Sequence, residues 1–266
     1  MSRSRLIGAR VLAVAVVAAA TMSASRAHAD EIPLPERRSG YDQMSPATKA
    51  MQDDDTSNPG MLWVIEGEAL WTAKAGPAGR SCADCHGDAT ASMKGVAARH
   101  PAFDPKRGEV VNLAGRIEMC RVERQGLPPL GPDAKESLAL AAFVARQSRG
   151  LPIAVDEKAL EPTIAAGRQL FTTRQGHLNL SCAHCHEANW GRKLAGLPLS
   201  QGQPTGYPLY RLEWQTFGSI QRRLRNCLFG MRADYYPPGA PEYLTLETYL
   251  MWRARGLPME SPAVRP

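Results

Sequence analysis

The residues with the richest chemistry are six cysteines, and four of them fall in two copies of one spacing. Cys82-Ala83-Asp84-Cys85-His86 returns as Cys182-Ala183-His184-Cys185-His186. Two cysteines three positions apart share one face of a helical turn. They can form thioethers to the two vinyl groups of a single haem, and the histidine that follows is placed to bind the iron from the same side. This spacing predicts two covalently bound haem c groups. Cys82 and Cys85 attach the first, with His86 as iron ligand; Cys182 and Cys185 attach the second, with His186 as iron ligand. A zinc site would need a second ligand pair close by in each half, and there is none. A thioredoxin-like dithiol would sit in a βαβ pattern, which is absent. Three disulfides are the default for six exported cysteines, but the repeated Cys-x-x-Cys-His spacing argues against them.

A histidine-bound haem iron has a second axial position, open to Met, His or Cys. If both halves work alike, the second ligand occupies matching places. His100 and His177 do not correspond, and Met93 and Met119 have no counterparts, whereas Cys120 and Cys227 each follow a motif at a similar distance. Leu113, Ile117 and Cys120 fall at i, i+4 and i+7, and Ile220, Leu224 and Cys227 repeat the pattern, so each cysteine shares the apolar face of a helix. Cys120 and Cys227 are therefore expected as iron ligands; a disulfide joining the two is the competing reading. Arg116 and Arg223 each stand four residues before a cysteine, within reach along a helix. A guanidinium beside a sulfur favours the thiolate and offers a fork to an oxyanion. An ordinary surface role competes for both arginines, evenly for Arg116.

The elements that must position these groups are duplicated. Gly67-Glu68-Ala69-Leu70-Trp71 precedes the first motif as Gly167-Arg168-Gln169-Leu170-Phe171 precedes the second. Arg149-Gly150-Leu151-Pro152 returns as Arg255-Gly256-Leu257-Pro258. In each half a helix comes first, with Leu62, Ile65 and Ala69, or Leu160, Ile164, Gly167 and Leu170–Phe171, at helical spacing. The motif, a long Gly/Pro-rich loop such as Gly191 to Pro208, and the cysteine helix follow. A last helix, Ser137 to Arg149 or Glu242 to Arg255, stops at Gly-Leu-Pro. The fold class is mainly α: two tandem cytochrome c-like domains with long loops and no strands beyond short pieces. Residues 30–60 are expected as an extended N-terminal arm, 61–152 as the first domain and 153–266 as the second. Leu151–Glu161 reads as a linker, and the tail after Leu257 as loose.

Residues 1–29 read as a secretory signal peptide. A basic start with Arg3, Arg5 and Arg10 precedes an apolar run too short to span a bilayer securely, and Ala27-His28-Ala29 supplies the cleavage site. A retained anchor is the competing reading. The segment holds four arginines and no acid, so its removal takes the formal charge from +6 to +2. The basic balance therefore gives no reason to expect nucleic acid. Aromatic residues make up only 6% of the chain, a thin core unless a buried cofactor fills it.

With two Cys-x-x-Cys-His motifs and a lone cysteine in an arginine-bearing helix after each, the chain resembles the SoxA family, dihaem cytochromes of the periplasmic sulfur-oxidising system. Arg223-Leu224-Arg225-Asn226-Cys227-Leu228-Phe229-Gly230-Met231-Arg232 is the most specific stretch. The resemblance runs from about Asp30 to Leu257. It implies an L-cysteine S-thiosulfotransferase that works as a heterodimer with the monohaem cytochrome SoxX. Thiosulfate is joined oxidatively to a cysteine of the carrier SoxYZ, and electrons pass to a downstream cytochrome c. It further implies His/Cys ligation of both haems, Cys227 as the catalytic sulfur, carried as a persulfide, and Arg223 as the residue that helps hold substrate. Three other activities compete: a dihaem thiosulfate dehydrogenase forming tetrathionate, a plain dihaem electron carrier, and a dihaem peroxidase.

Overall fold

One bare glycine in each half decides how the helices close. The structure, a computed structural model, describes residues 32–266, so the expected signal peptide lies outside the described residues. Two single-turn 3-10 helices, Leu34–Glu36 and Gly40–Gln43, lead into helix α1 (Pro46–Asp53). Helix α2 (Met61–Thr72) precedes the motif helix α3 (Cys82–His86) and the short α4 (Ala89–Ser92). An antiparallel hairpin of β1 (Ala102–Asp104) and β2 (Glu109–Val111) feeds α5 (Leu113–Cys120), which a π-turn prolongs over Arg121–Gln125. Helix α6 (Lys135–Arg146) ends the half. The second half repeats this order with α7 (Glu157–Thr172) and α8 (Cys182–His186). A small hairpin, β3 (Lys193–Leu194) with β4 (Leu197–Pro198), has no counterpart in the first half. Then come the hairpin β5 (Leu209–Arg211) with β6 (Thr216–Gly218), helix α9 (Ile220–Gly230) and helix α10 (Pro241–Arg253). Strand β7 (Ala263–Arg265) pairs parallel to β5.

Helix α2 packs on α6 at Gly67, and α7 packs on α10 at Gly167. A methyl group on Gly67 would come within 2.1 Å of the Ala139 carbonyl oxygen, and one on Gly167 within 2.5 Å of the Thr245 carbonyl oxygen. Only glycine lets the backbones approach this closely. In α7 the stripe around it is the expected one: Leu160, Ile164, Gly167 and Phe171 are buried. In α2 the buried residues are Val64, Gly67 and Trp71. Leu62 and Ile65, which carry the apolar spacing in the sequence, face outward, at 66% and 58% exposure, as does Ala69. The helix is as expected but its inner face is not, because the inner face is chosen by the residue with no side chain.

The arm is not extended. Ser45 caps α1 by accepting the Thr48 N–H at 3.2 Å, and Pro46 fits the first helical position. Nor is the tail loose: Ser261, Ala263 and Val264 are fully buried. The two ends of the described chain hold each other. Gln52 Oε1 accepts from Val264 N at 3.1 Å, and Asn58 Nδ2 donates to the Pro262 carbonyl at 2.9 Å. The expected linker is also structured. Ile153 and Val155 are buried, α7 already begins at Glu157, and the two Gly-Leu-Pro segments pair with one another. Gly150 N donates to Met259 O at 2.8 Å, and Met259 N to Leu151 O at 2.9 Å. Gly256 N donates to Ile153 O at 2.9 Å, and Ile153 N to Leu257 O at 2.9 Å. The halves also share core: Trp63 stacks on Phe217 with ring centroids 5.1 Å apart, and Ile153 and Ala145 join the cluster of α7 and α10. Among the described residues no helix is long and apolar enough to cross a membrane.

Candidate functional site

Local capping sets each motif. Ser81 Oγ accepts the Asp84 N–H at 3.0 Å, and Asp84 Oδ2 accepts the Ser81 N–H at 2.9 Å, a reciprocal cap that starts α3. In the second half His184 takes the place of Asp84. Its Nδ1 accepts from Ser181 N at 3.1 Å and lies 2.7 Å from Ser181 Oγ. His184 is thus a capping residue, which accounts for a histidine with no counterpart in the first motif. An aromatic ring from the preceding helix backs each motif histidine, Trp71 at 5.7 Å from His86 and Phe171 at 6.5 Å from His186.

In the first half Cys82, Cys85 and His86 lie on α3, and Cys120 ends α5. Burial, then the neighbouring Cys120, pushes the Cys82 thiol up. Arg116 Nη2 donates to Asp104 Oδ2 at 2.7 Å, and this bond, with the Lys106 N–H, holds the Asp104 carboxyl below its usual range. Arg116 is therefore committed to an ion pair.

In the second half the groups converge on a cavity of about 390 Å³. Cys182, Cys185 and His186 form one wall, and Cys227, Arg223, Arg211 and Tyr207 another. Apolar side chains fill in between, among them Phe171, Leu180, Leu224, Leu246 and Leu250. His186 Nδ1 donates to the Ser200 carbonyl at 2.7 Å, and its ring neighbours the Cys227 sulfur. The loop that supplies this carbonyl is anchored by Gln201. Its side chain accepts from Arg38 N at 2.7 Å and donates to Glu36 O at 3.0 Å, so the arm braces the histidine at one remove. Gly202 lies against the ring: with φ +75, an added Cβ would meet His186 Cγ at 3.1 Å.

The electrostatics single out one sulfur. Burial pushes the Cys227 thiol up, but Arg223, the neighbouring His186 and the charge of Arg211 outweigh it and bring the thiol down to about 7. Cys182, by contrast, is pushed up to about 12 by burial and by Cys227. All six cysteines are free thiols, so the competing Cys120–Cys227 disulfide is not formed.

Two thiols and a histidine on one wall, a soft sulfur ligand on another and apolar sides suit a haem c, and no carboxylate side chain lines the walls named above. The sequence reading missed Arg211 and Tyr207. They are legible only when the spacing of 107 residues between Cys120 and Cys227 is applied to every nearby position, which pairs Arg211 with Asp104 and Tyr207 with His100.

Fold and site define a tandem c-type cytochrome. The model of the SoxA/TsdA cytochrome c domain matches the chain twice, over residues 66–153 and 166–259. The L-cysteine S-thiosulfotransferase subunit SoxA of Pseudaminobacter salicylatoxidans is 38% identical over 235 residues, 88% of this chain and 82% of that protein. The protein of the same name from Rhodovulum sulfidophilum is also 38% identical over 235 residues, 86% of this chain and 80% of its own. The crystal structure of SoxXA from P. pantotrophus superposes with a TM-score of 0.83 at 33% identity, covering 86% of this chain and 87% of that one. The chain belongs to the SoxA family.

Proposed function

We propose that this chain is the catalytic subunit of an L-cysteine S-thiosulfotransferase. It is exported to the periplasm, pairs with a SoxX-type monohaem cytochrome, and joins thiosulfate to a cysteine of a SoxYZ-type carrier. The observation that carries the reading is Cys227 with Arg223 in an apolar cavity opposite His186. Two haem c groups would complete the protein: Cys82, Cys85, His86 and Cys120 would hold one, and Cys182, Cys185, His186 and Cys227 the other. Haem c, when bound, supplies a one-electron acceptor beside the reacting sulfur.

The chemistry of the chain's own groups follows from their charges. Arg223 attracts the thiosulfate dianion and keeps Cys227 a thiolate. The outer sulfur of thiosulfate bonds to Cys227 Sγ with loss of two electrons, which leave singly toward the partner cytochrome and a downstream cytochrome c. The carrier thiolate then attacks that outer sulfur. A carrier S–S bond forms, the bond to Cys227 breaks, and the Cys227 thiolate is restored. The sum is one carrier thiol plus thiosulfate giving the carrier S-thiosulfonate, one proton and two electrons.

The test uses the haem-loaded complex with thiosulfate, an oxidised acceptor and a carrier bearing one free cysteine. The carrier's mass should rise by one thiosulfate, and Cys227→Ala should abolish the gain. Tetrathionate with an unmodified carrier would instead assign a thiosulfate dehydrogenase; no product at all would leave an electron carrier.

A further inference from the structure

The two halves place the same positions around their lone cysteine, and one of those positions reverses its charge. At the shared spacing of 107 residues, Arg116 matches Arg223, His100 matches Tyr207, and Asp104 matches Arg211. In the first half Asp104 neutralises Arg116 at 2.7 Å. In the second half that acid is replaced by a second guanidinium. Arg211 is 7% exposed, lines the same cavity as Cys227 and Arg223, and its Nε has no partner. Its one carboxylate partner, Glu213 at 3.0 Å, has a side chain 55% exposed, where solvent screens the pair. Arg211, buried, and Arg223, half-buried, face one cavity, where their like charges repel each other and favour an anion between them.

We propose that Arg211 and Arg223 together form the thiosulfate site. The two forks hold the sulfonate oxygens and leave the outer sulfur toward Cys227. The exchange of Asp104 for Arg211 is then what confines thiosulfate to the second half, although both halves carry a cysteine with an arginine four residues before it. The inference rests on the reading of Cys227 as the reacting sulfur.

The test is steady-state kinetics of the haem-loaded heterodimer with thiosulfate varied and carrier saturating. Losing a charged, forked contact should raise the KM for thiosulfate about tenfold or more in Arg211→Met, with a smaller effect on kcat. Arg211→Lys should recover part of the loss. Arg211→Asp, which rebuilds the first half's ion pair against Arg223, should abolish saturation. Haem content and absorption spectrum should match the parent. An Arg211→Met protein with the parent KM would overturn the inference; if its haem potential shifted instead, the guanidinium serves a haem carboxylate. An inactive Cys227→Ala beside that result would leave the transferase reading standing, whereas an active Cys227→Ala would sink the reading beneath. A measurement on the parent stands independently of any variant. At equal ionic strength sulfate should compete with thiosulfate at least about tenfold better than chloride, since two forks favour a dianion; equal competition would refute the paired site.

Discussion

Replacing Gly167 by alanine tests how the second half is held together. The added Cβ would stand 2.5 Å from the Thr245 carbonyl oxygen and 2.5 Å from Tyr249 Cβ, both on α10. Ordinary contact begins near 3.4 Å, so α7 and α10 must part by roughly 0.9 Å. Overpacking of this kind costs about 1–3 kcal/mol, and both obstructing atoms belong to or adjoin backbone that cannot swing away, which places the cost near about 3. Alanine's better helix propensity returns about 1 kcal/mol. The net loss is about 2 kcal/mol, or about 4–8 °C in Tm for a domain of this size. The separation also loosens Phe171, whose ring lies 6.5 Å from His186 and 5.3 Å from Tyr249. The assay is thermal unfolding of the haem-loaded protein by far-ultraviolet circular dichroism. Ala165→Gly at an exposed position of the same helix is the control, expected to lose only about 1 kcal/mol. Gly67→Ala, where the obstructing oxygen is at 2.1 Å, should be worse than Gly167→Ala. A Gly167→Ala protein melting at or above the parent would refute the close approach of α7 and α10.

Cys120→Ala should change the absorption of one haem while thiosulfate transfer persists; loss of transfer would give the first half a direct part in the chemistry. Asp104, whose carboxyl lies below its usual value through Arg116 and Lys106, contributes stability that is present above the ordinary carboxylate pKa and lost as pH falls through the depressed value. The parent should therefore lose Tm at acid pH more steeply than Asp104→Asn, and parallel curves would contradict the pair. Glu247 behaves oppositely. Burial lifts its carboxyl to about 7, against a hydrogen bond from Asn112 at 2.6 Å. Its contribution to stability is full below the ordinary carboxylate value and falls away as pH rises toward 7. Glu247→Gln should flatten that decline between pH 5 and pH 8, roughly the window set by the raised value, as read by Tm across the range.

The chemistry of this protein was the legible part, and its packing was less so. The motif cysteines, the two histidines and the cysteines at matched positions are chemical signals that survive without a fold. The inner face of α2 was hidden because its organiser, Gly67, adds nothing to an apolar count while Leu62 and Ile65 do. The tail contains Pro258, Pro262 and Pro266 and has no period; its strand comes from pairing with β5, a partner distant in sequence. The arm did carry a signal, Ser45-Pro46, that names a helix start, but Asp53-Asp54-Asp55 drew the eye to solvent. Arg211 sits on a short strand with nothing local to mark it, and only the duplication exposes it.

The pairing of the two Gly-Leu-Pro segments has its own symmetry. Exchange each residue for its counterpart 106 positions away, and the bond from Gly150 to Met259 becomes the bond from Gly256 to Ile153. The bond from Met259 to Leu151 becomes the one from Ile153 to Leu257. The joint is isologous, the kind that two identical chains make about a twofold axis. The seam therefore uses one set of backbone donors and acceptors twice, once from each half, so a change at Gly150 and the same change at Gly256 each remove one of two equivalent bonds.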